Sequence, residues 1–222
     1  MAPARIMAVR HGESEANLAY QEAGPRPLVY GPGDDEVRLT GLGRAQAAAL
    51  GRLLAALPAG EAPELVWCSP YPRALDTWEI ARDSWGAGPL PVTVDDRLRD
   101  QEPGLFAHLN LAAVRERHPA ELARREAEGV PAFRPPGGES LADVVVRVRA
   151  CLDDLGRPAD GRRVLIVAHD AVVLALRHVL GGRPDAELAA VLEFGPVLNA
   201  SVSVWRDGGR LVRFNDVGHL TF

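Results

Sequence analysis

The chain has 222 residues, enough for one large domain or two small ones, and its 47% hydrophobic and 25% charged residues are the balance of an ordinary globular protein. A formal charge of −5 with no basic block argues against a nucleic-acid partner, yet leaves room for a small anion held by a local arginine cluster. No apolar run is long enough to span a membrane and nothing resembles a signal peptide; the two cysteines, Cys68 and Cys151, sit in apolar stretches as reduced thiols do, so a cytoplasmic location is expected.

Residues 5–10 read as the first strand. Its apolar run Ile6-Met7-Ala8-Val9 ends in Arg10-His11-Gly12-Glu13 and so delivers a guanidinium and an imidazole to the strand's C-terminal end. In open α/β sheets that is where ligands bind. After a Gly/Pro-rich loop at 24–35, Thr40 can cap a helix with Leu42, Ala45, Ala49, Leu50, Leu53 and Leu57 on one face, ended by Pro58-Ala59-Gly60. Leu65 to Cys68 is a second strand, running into Ser69-Pro70 and a helix through about Trp85 with Arg73 in its first turn; Pro91 to Val94 is a third.

Residues 104–138 carry a helix of mixed polarity, 111–128, broken or started by Pro119, followed by Pro131, Pro135, Pro136 and paired glycines. This stretch reads as a cover insertion rather than a sheet element. Ser140 opens a helix with a capping-box pattern, placing Leu141, Val144, Val145, Val148, Leu152 and Leu155 on one face. The unbroken apolar run Val164 to Ala168 is expected of a strand buried on both faces. It is followed by His169 and by Asp170 as N-cap of a helix to Leu180, stopped at Gly181-Gly182. A hairpin joins 200–205 to 211–214. The alternation predicts a single α/β domain over 1–222, a three-layer sandwich with a mostly parallel central sheet flanked by helices and a helical cover at 104–138.

If these strands are parallel, their C-terminal ends share one edge, and Arg10, His11, Arg73 and His169 converge there. Imidazoles beside permanently charged planar forks suit attack on, or grip of, a phosphoryl group.

The chain resembles the histidine phosphatase superfamily, in its phosphoglycerate mutase-like branch. The matching blocks, in the family's order, are Arg10-His11-Gly12-Glu13-Ser14 with Asn17; Leu39-Thr40-Gly41-Leu42-Gly43 with Gln46; Ser69-Pro70-Tyr71-Pro72-Arg73-Ala74 with Thr77; Arg97-Leu98-Arg99-Asp100-Gln101-Glu102; Gly138-Glu139-Ser140; and Val167-Ala168-His169. The resemblance implies that His11 attacks phosphorus and forms a phosphohistidine that water hydrolyses, with Arg10, Arg73 and His169 holding the phosphoryl oxygens and Asn17 adding a neutral donor. Ser14 belongs to the same substrate-binding turn. A tautomer-fixing partner is needed for His11, and the charge state of His169 stays open, because the phosphate favours its protonation and the arginines oppose it. A proton donor for the leaving alkoxide is also needed. The family's acid, usually Glu, falls on Asp100, with Glu102 as its rival; Glu13 could be an orienting partner.

Two further departures stand out. Asp170 occupies a position where relatives often have Gly, and a carboxylate there is unfavourable unless it turns away. The Gly/Pro loop around Tyr30-Gly31-Pro32 replaces the Trp-rich acidic segment of true mutases. The expected function is a metal-independent phosphatase, without cofactor, acting on a small phosphorylated metabolite. The alternatives are phosphoglycerate mutase-type transfer, or a phosphate-binding regulatory protein with little turnover. A homodimer through the hairpin edge is possible, although nothing in the sequence specifies it; no nucleic acid and no membrane are expected as partners.

Overall fold

The structure, a computed structural model, describes residues 2–156 and 158–221. Strands β1 (Arg5–Arg10), β2 (Leu65–Cys68), β3 (Val92–Val94), β4 (Arg163–Ala168), β5 (Val202–Arg206) and β6 (Arg210–Asp216) form one sheet in the order β3-β2-β4-β1-β5-β6. β3, β2, β4 and β1 run parallel; β5 is antiparallel to β1, and β6 to β5. The fold is therefore α/β with a mixed sheet, and the three strands carrying the candidate residues, β2, β4 and β1, are adjacent and parallel.

Both faces of those strands are covered by helices. Ile6, Ala8, Leu65, Trp67, Val164 and Ile166 pack with α6 (Leu141–Leu155) and α7 (Asp170–Leu180). The alternate residues Met7, Val9, Val66, Cys68, Leu165 and Val167 face the other way, toward α2 (Gly41–Ala55) and α3 (Pro72–Trp85). Side chains alternate across a strand, so a strand sandwiched in this way needs an apolar residue at every position. Each fully buried aliphatic side chain contributes about 1.5–3 kcal/mol.

Three elements depart from the sequence reading. In α2, Thr40 is the N-cap as expected, but Leu42 is 45% exposed while Gly43, Gln46 and Leu54 are buried. The first turn of α2 packs on the turn after β1 instead of on the core: a Cβ on Gly43 would run into the Glu13 carbonyl oxygen. Helix α1 (Glu15–Ala23) has no buried residue and hence no apolar stripe to betray it; the Ser14–Asn17 capping box starts it. The N-cap of α7 is His169, not Asp170, which is the first residue of the helix.

Residues 104–138 hold α4 (Leu111–Arg117) and α5 (Pro119–Glu128), separated at Pro119. A further 3-10 segment, Asp185–Phe194, follows α7. No helix among the described residues is long and apolar enough to cross a membrane.

Candidate active site

The ends of three parallel strands bring the imidazoles together. The His11 amide donates to Ala168 O (2.9 Å) and the Ser69 amide to Val167 O (2.9 Å), so Ser69, His169 and His11 stand side by side just beyond β2, β4 and β1. The two imidazole centroids are 5.1 Å apart.

The tautomer of His11 is set by the backbone. Its Nδ1 lies 2.7 Å from Gly12 O, which can only accept, so Nδ1 carries the proton and Nε2 is the free base. Arg73 Nε donates to that Nε2 at 3.3 Å. Burial, then His169, Arg73 and Arg10, hold the His11 pKa well below its usual 6.5, which keeps Nε2 unprotonated. His169 is likewise driven toward the neutral form, by burial first and then by Arg73, Arg10 and Arg147. Its Nε2 is 2.8 Å from Ser69 Oγ. Ser69 Oγ also accepts the Tyr71 amide (3.3 Å) and so ties the turn after β2 to His169. His169 Nδ1 is buried without a hydrogen-bond partner, 3.5 Å from Asp100 Oδ2. Arg10 repeats the pattern: Nη1 donates to Val197 O (2.6 Å), while its buried Nε has no partner.

Arg73, 4% exposed, enters from the first turn of α3 and is held by carboxylates. Its Nη2 lies 2.7 Å from Asp34 Oδ1 and 3.2 Å from Asp100 Oδ2, and Nη1 donates to Asp34 O at 3.2 Å. Thr77 Oγ1 joins this helix to the His11 turn, accepting from the Gly12 amide (3.0 Å) and donating to Arg73 O (2.7 Å).

Asp100 lies on the segment after β3, and Arg147 of α6 pins that segment by donating to Arg97 O (2.6 Å) and Asp100 O (2.9 Å). Glu139 braces it too, pairing with Arg147 and accepting the Glu102 amide at 3.1 Å. This is the work of the Gly138-Glu139-Ser140 block; Ser140 also caps α6. Glu102 lines the same cleft, but its carboxylate reaches back to its own loop, accepting the Gly104 amide at 3.4 Å. Of the two acids, Asp100 is the one in contact with Arg73 and His169.

The remaining expected residues divide. Ser14 is buried as the N-cap of α1 and accepts the Asn17 amide (3.2 Å). Asn17 Oδ1 is occupied by the Ser14 amide (3.1 Å) and Asn199 Nδ2 (2.9 Å), so its NH₂ group is what it offers the cleft. Glu13 binds Thr40 Oγ1 (2.7 Å) and orients α2 rather than an imidazole. Asp170 does not turn away: it lines the cleft, and burial followed by the nearby Asp100 raises its pKa. Asp34, Asn199 and Val197 were not anticipated. Asp34 sits in the Gly/Pro loop, which carries no periodicity, and the other two act from a coil that approaches β1 only in three dimensions.

The cleft measures about 650 Å³. Its roof ties together the two segments hardest to read in the sequence: the Leu28 amide donates to Asn110 Oδ1 (3.0 Å) and the Tyr30 amide to His108 O (2.7 Å). No group of three or more His, Cys, Asp or Glu among the described residues is placed to hold a metal ion.

Fold and site together define an α/β protein with two imidazoles and two guanidiniums gathered at the C-terminal edge of parallel strands. The chain belongs to the histidine phosphatase superfamily, branch 1, whose family model matches residues 6–217. It is 32% identical over 196 residues to the 2,3-bisphosphoglycerate-dependent phosphoglycerate mutase of Beijerinckia indica, covering 86% of this chain and 87% of that one. Among solved structures it resembles Bacillus stearothermophilus YhfR (26% identity, TM-score 0.76, 98% and 99% of the two chains). It also resembles a mycobacterial glucosyl-3-phosphoglycerate phosphatase (30% identity, TM-score 0.68, 90% and 88%). Phosphatases and mutases are thus both among its relatives.

Proposed function

We propose that the protein is a phosphomonoesterase working through a phosphohistidine on His11. The observation that carries this reading is that Arg10 Nε and His169 Nδ1, buried nitrogens at the ends of the two adjacent strands that meet at His11, have no hydrogen-bond partner. A buried polar group without a partner costs about 1–3 kcal/mol, and a tetrahedral anion would satisfy the Arg10 Nε–H and, with the proton on Nδ1, His169 as well.

In the first step His11 Nε2 attacks phosphorus and the bond from phosphorus to the ester oxygen breaks. Arg10, Arg73 and His169 stabilise the equatorial oxygens, and Asn17 contributes its amide donor. Asp100 gives its proton to the departing alkoxide. The incoming dianion takes over Arg73, which Asp100 contacts at 3.2 Å in its absence. In the second step Asp100 accepts a proton from water, whose oxygen attacks the phosphohistidine. Inorganic phosphate leaves, and His11 and protonated Asp100 are regenerated.

Hydrolysis is favoured over mutase chemistry by the charge of the cleft. Among its described lining residues Arg10 and Arg73 are the only arginines, both at the phosphate end, while Asp34, Asp100, Glu102 and Asp170 are carboxylates. A bisphosphorylated glycerate would bring a second phosphate and a carboxylate with no third arginine in this lining to meet them. The free buried thiols Cys68 and Cys151, both pushed up to about 12 by burial, are in keeping with a cytoplasmic location.

The test is phosphate release from p-nitrophenyl phosphate, with rapid-quench trapping of an acid-labile phosphoryl group on His11. His11→Ala should abolish both signals. Release that survives His11→Ala removes the nucleophile, and isomerisation of 3-phosphoglycerate outpacing release would favour the mutase.

A further inference from the structure

Beyond the phosphate end the cleft continues into a second cavity of about 450 Å³. Pro103, Phe106 and Ala171 line both, so they form a common mouth. Past that mouth the lining is apolar apart from Arg125, with Phe133 from the cover and Leu174 from α7. Phe106 and Phe133 stack at 5.8 Å and give the annex an aromatic wall. Three of its side chains are left bare: Leu111 is 51%, Val130 41% and Leu192 36% exposed. Bare apolar side chains gathered on one concavity mark a binding surface, and the volume lies within the roughly 300–1,000 Å³ of small-molecule sites.

Resting on the phosphatase reading, we propose that this annex receives the carbon body of the substrate, a neutral alkyl or aryl phosphomonoester whose phosphate lies at His11. Continuity supports this occupant, because a body leaving the phosphate end past Phe106 enters the annex directly. Charge supports it as well. Glu102 and Asp170, two acidic side chains, flank the shared mouth and oppose an anionic body. Arg125 of α5 is the single arginine lining the annex among the described residues, and it defines the competing possibility of a body that ends in an anion.

The experiment is kcat/KM for phosphate release from n-alkyl phosphates, methyl through octyl, and from ω-carboxyalkyl phosphates of the same lengths. Burial of each methylene predicts a rise of about three- to fourfold per carbon until the annex is full, with the ω-carboxylates losing most of that gain. A flat series with release intact overturns the annex and leaves the phosphatase reading standing. Higher kcat/KM for the ω-carboxylates overturns the neutral body in favour of recognition by Arg125. No release from any ester, p-nitrophenyl phosphate included, sinks the phosphatase reading itself. Val130→Glu, which puts a carboxylate at the annex rim, should cut the octyl-to-methyl ratio at least about tenfold; an unchanged ratio counts against the proposal.

Discussion

Arg73 is the guanidinium hydrogen-bonded to His11 Nε2, and a phosphate must compete for it with Asp34. Changing Asp34→Asn keeps the side-chain shape while removing a charge that lies 2.7 Å from Arg73 Nη2. Unit charges about 4 Å apart interact by about 4 kcal/mol at an effective dielectric of about 20. Asp34 is 38% exposed, however, so solvent screens most of that, and about 1 kcal/mol is the appropriate scale. That corresponds to about fivefold in affinity. Calorimetric titration of inorganic phosphate into the two proteins should therefore show binding three- to tenfold tighter, on the order of that estimate, in Asp34→Asn. The difference should shrink in about 1 M salt, where the Debye length falls to about 3 Å. Unchanged or weaker phosphate binding by a folded Asp34→Asn protein would refute the idea that this carboxylate occupies the anion's place.

Asp100→Asn should slow hydrolysis of alkyl phosphates by about 10²–10⁴-fold while affecting p-nitrophenyl phosphate far less, since a good leaving group hardly needs a proton; if Glu102→Gln shows that pattern instead, the acid is Glu102. The pKa values of His11 and His169 are depressed below 6.5 in the folded state, so the stability they contribute is complete above that pH and is lost as pH falls through it. Urea unfolding should show a loss of about 1 kcal/mol per histidine between about pH 6.5 and about pH 5.5, and His11→Ala should remove about half of that dependence; a stability that rises toward low pH would contradict the depressed values. Gly43→Ala drives a methyl group into the Glu13 carbonyl and should cost about 1–3 kcal/mol. It should also lower kcat by disturbing the turn that carries His11, a loss that Gly41→Ala, with open space around it, should not reproduce.

The parallel strands, their order along the chain and the convergence of Arg10, His11, Arg73 and His169 were readable because each follows from short apolar runs ending in polar residues. α6 was readable for a similar reason: the burial of Leu141, Val144, Val145, Val148 and Leu155 repeats the helical period. What escaped was whatever depends on contact between segments without periodicity. Helix α1 hides because it buries nothing. Gly43 and Gln46 displaced Leu42 from the buried face of α2 because the helix start touches another backbone, a contact that no apolar scale registers. Asp34 and Asn199 enter the site from coils, and their roles depend on where Arg73 and Asn17 happen to lie in space. Asp170 could be placed near the site but not characterised, since its protonation depends on burial and on Asp100.

The Thr77 hydroxyl, bonded at once to the Gly12 amide and the Arg73 carbonyl, makes one mechanical unit of two stretches more than sixty residues apart in sequence. The turn bearing His11 and the helix bearing Arg73 are thereby coupled through one side chain, which sets the spacing of imidazole and guanidinium. Asp34 and Asp100, the loop acids that clasp Arg73, hold it from outside this linked pair. One small hydroxyl thus connects the imidazole's turn to its guanidinium, while the acids that compete for that guanidinium come from loops with no such tie to Thr77.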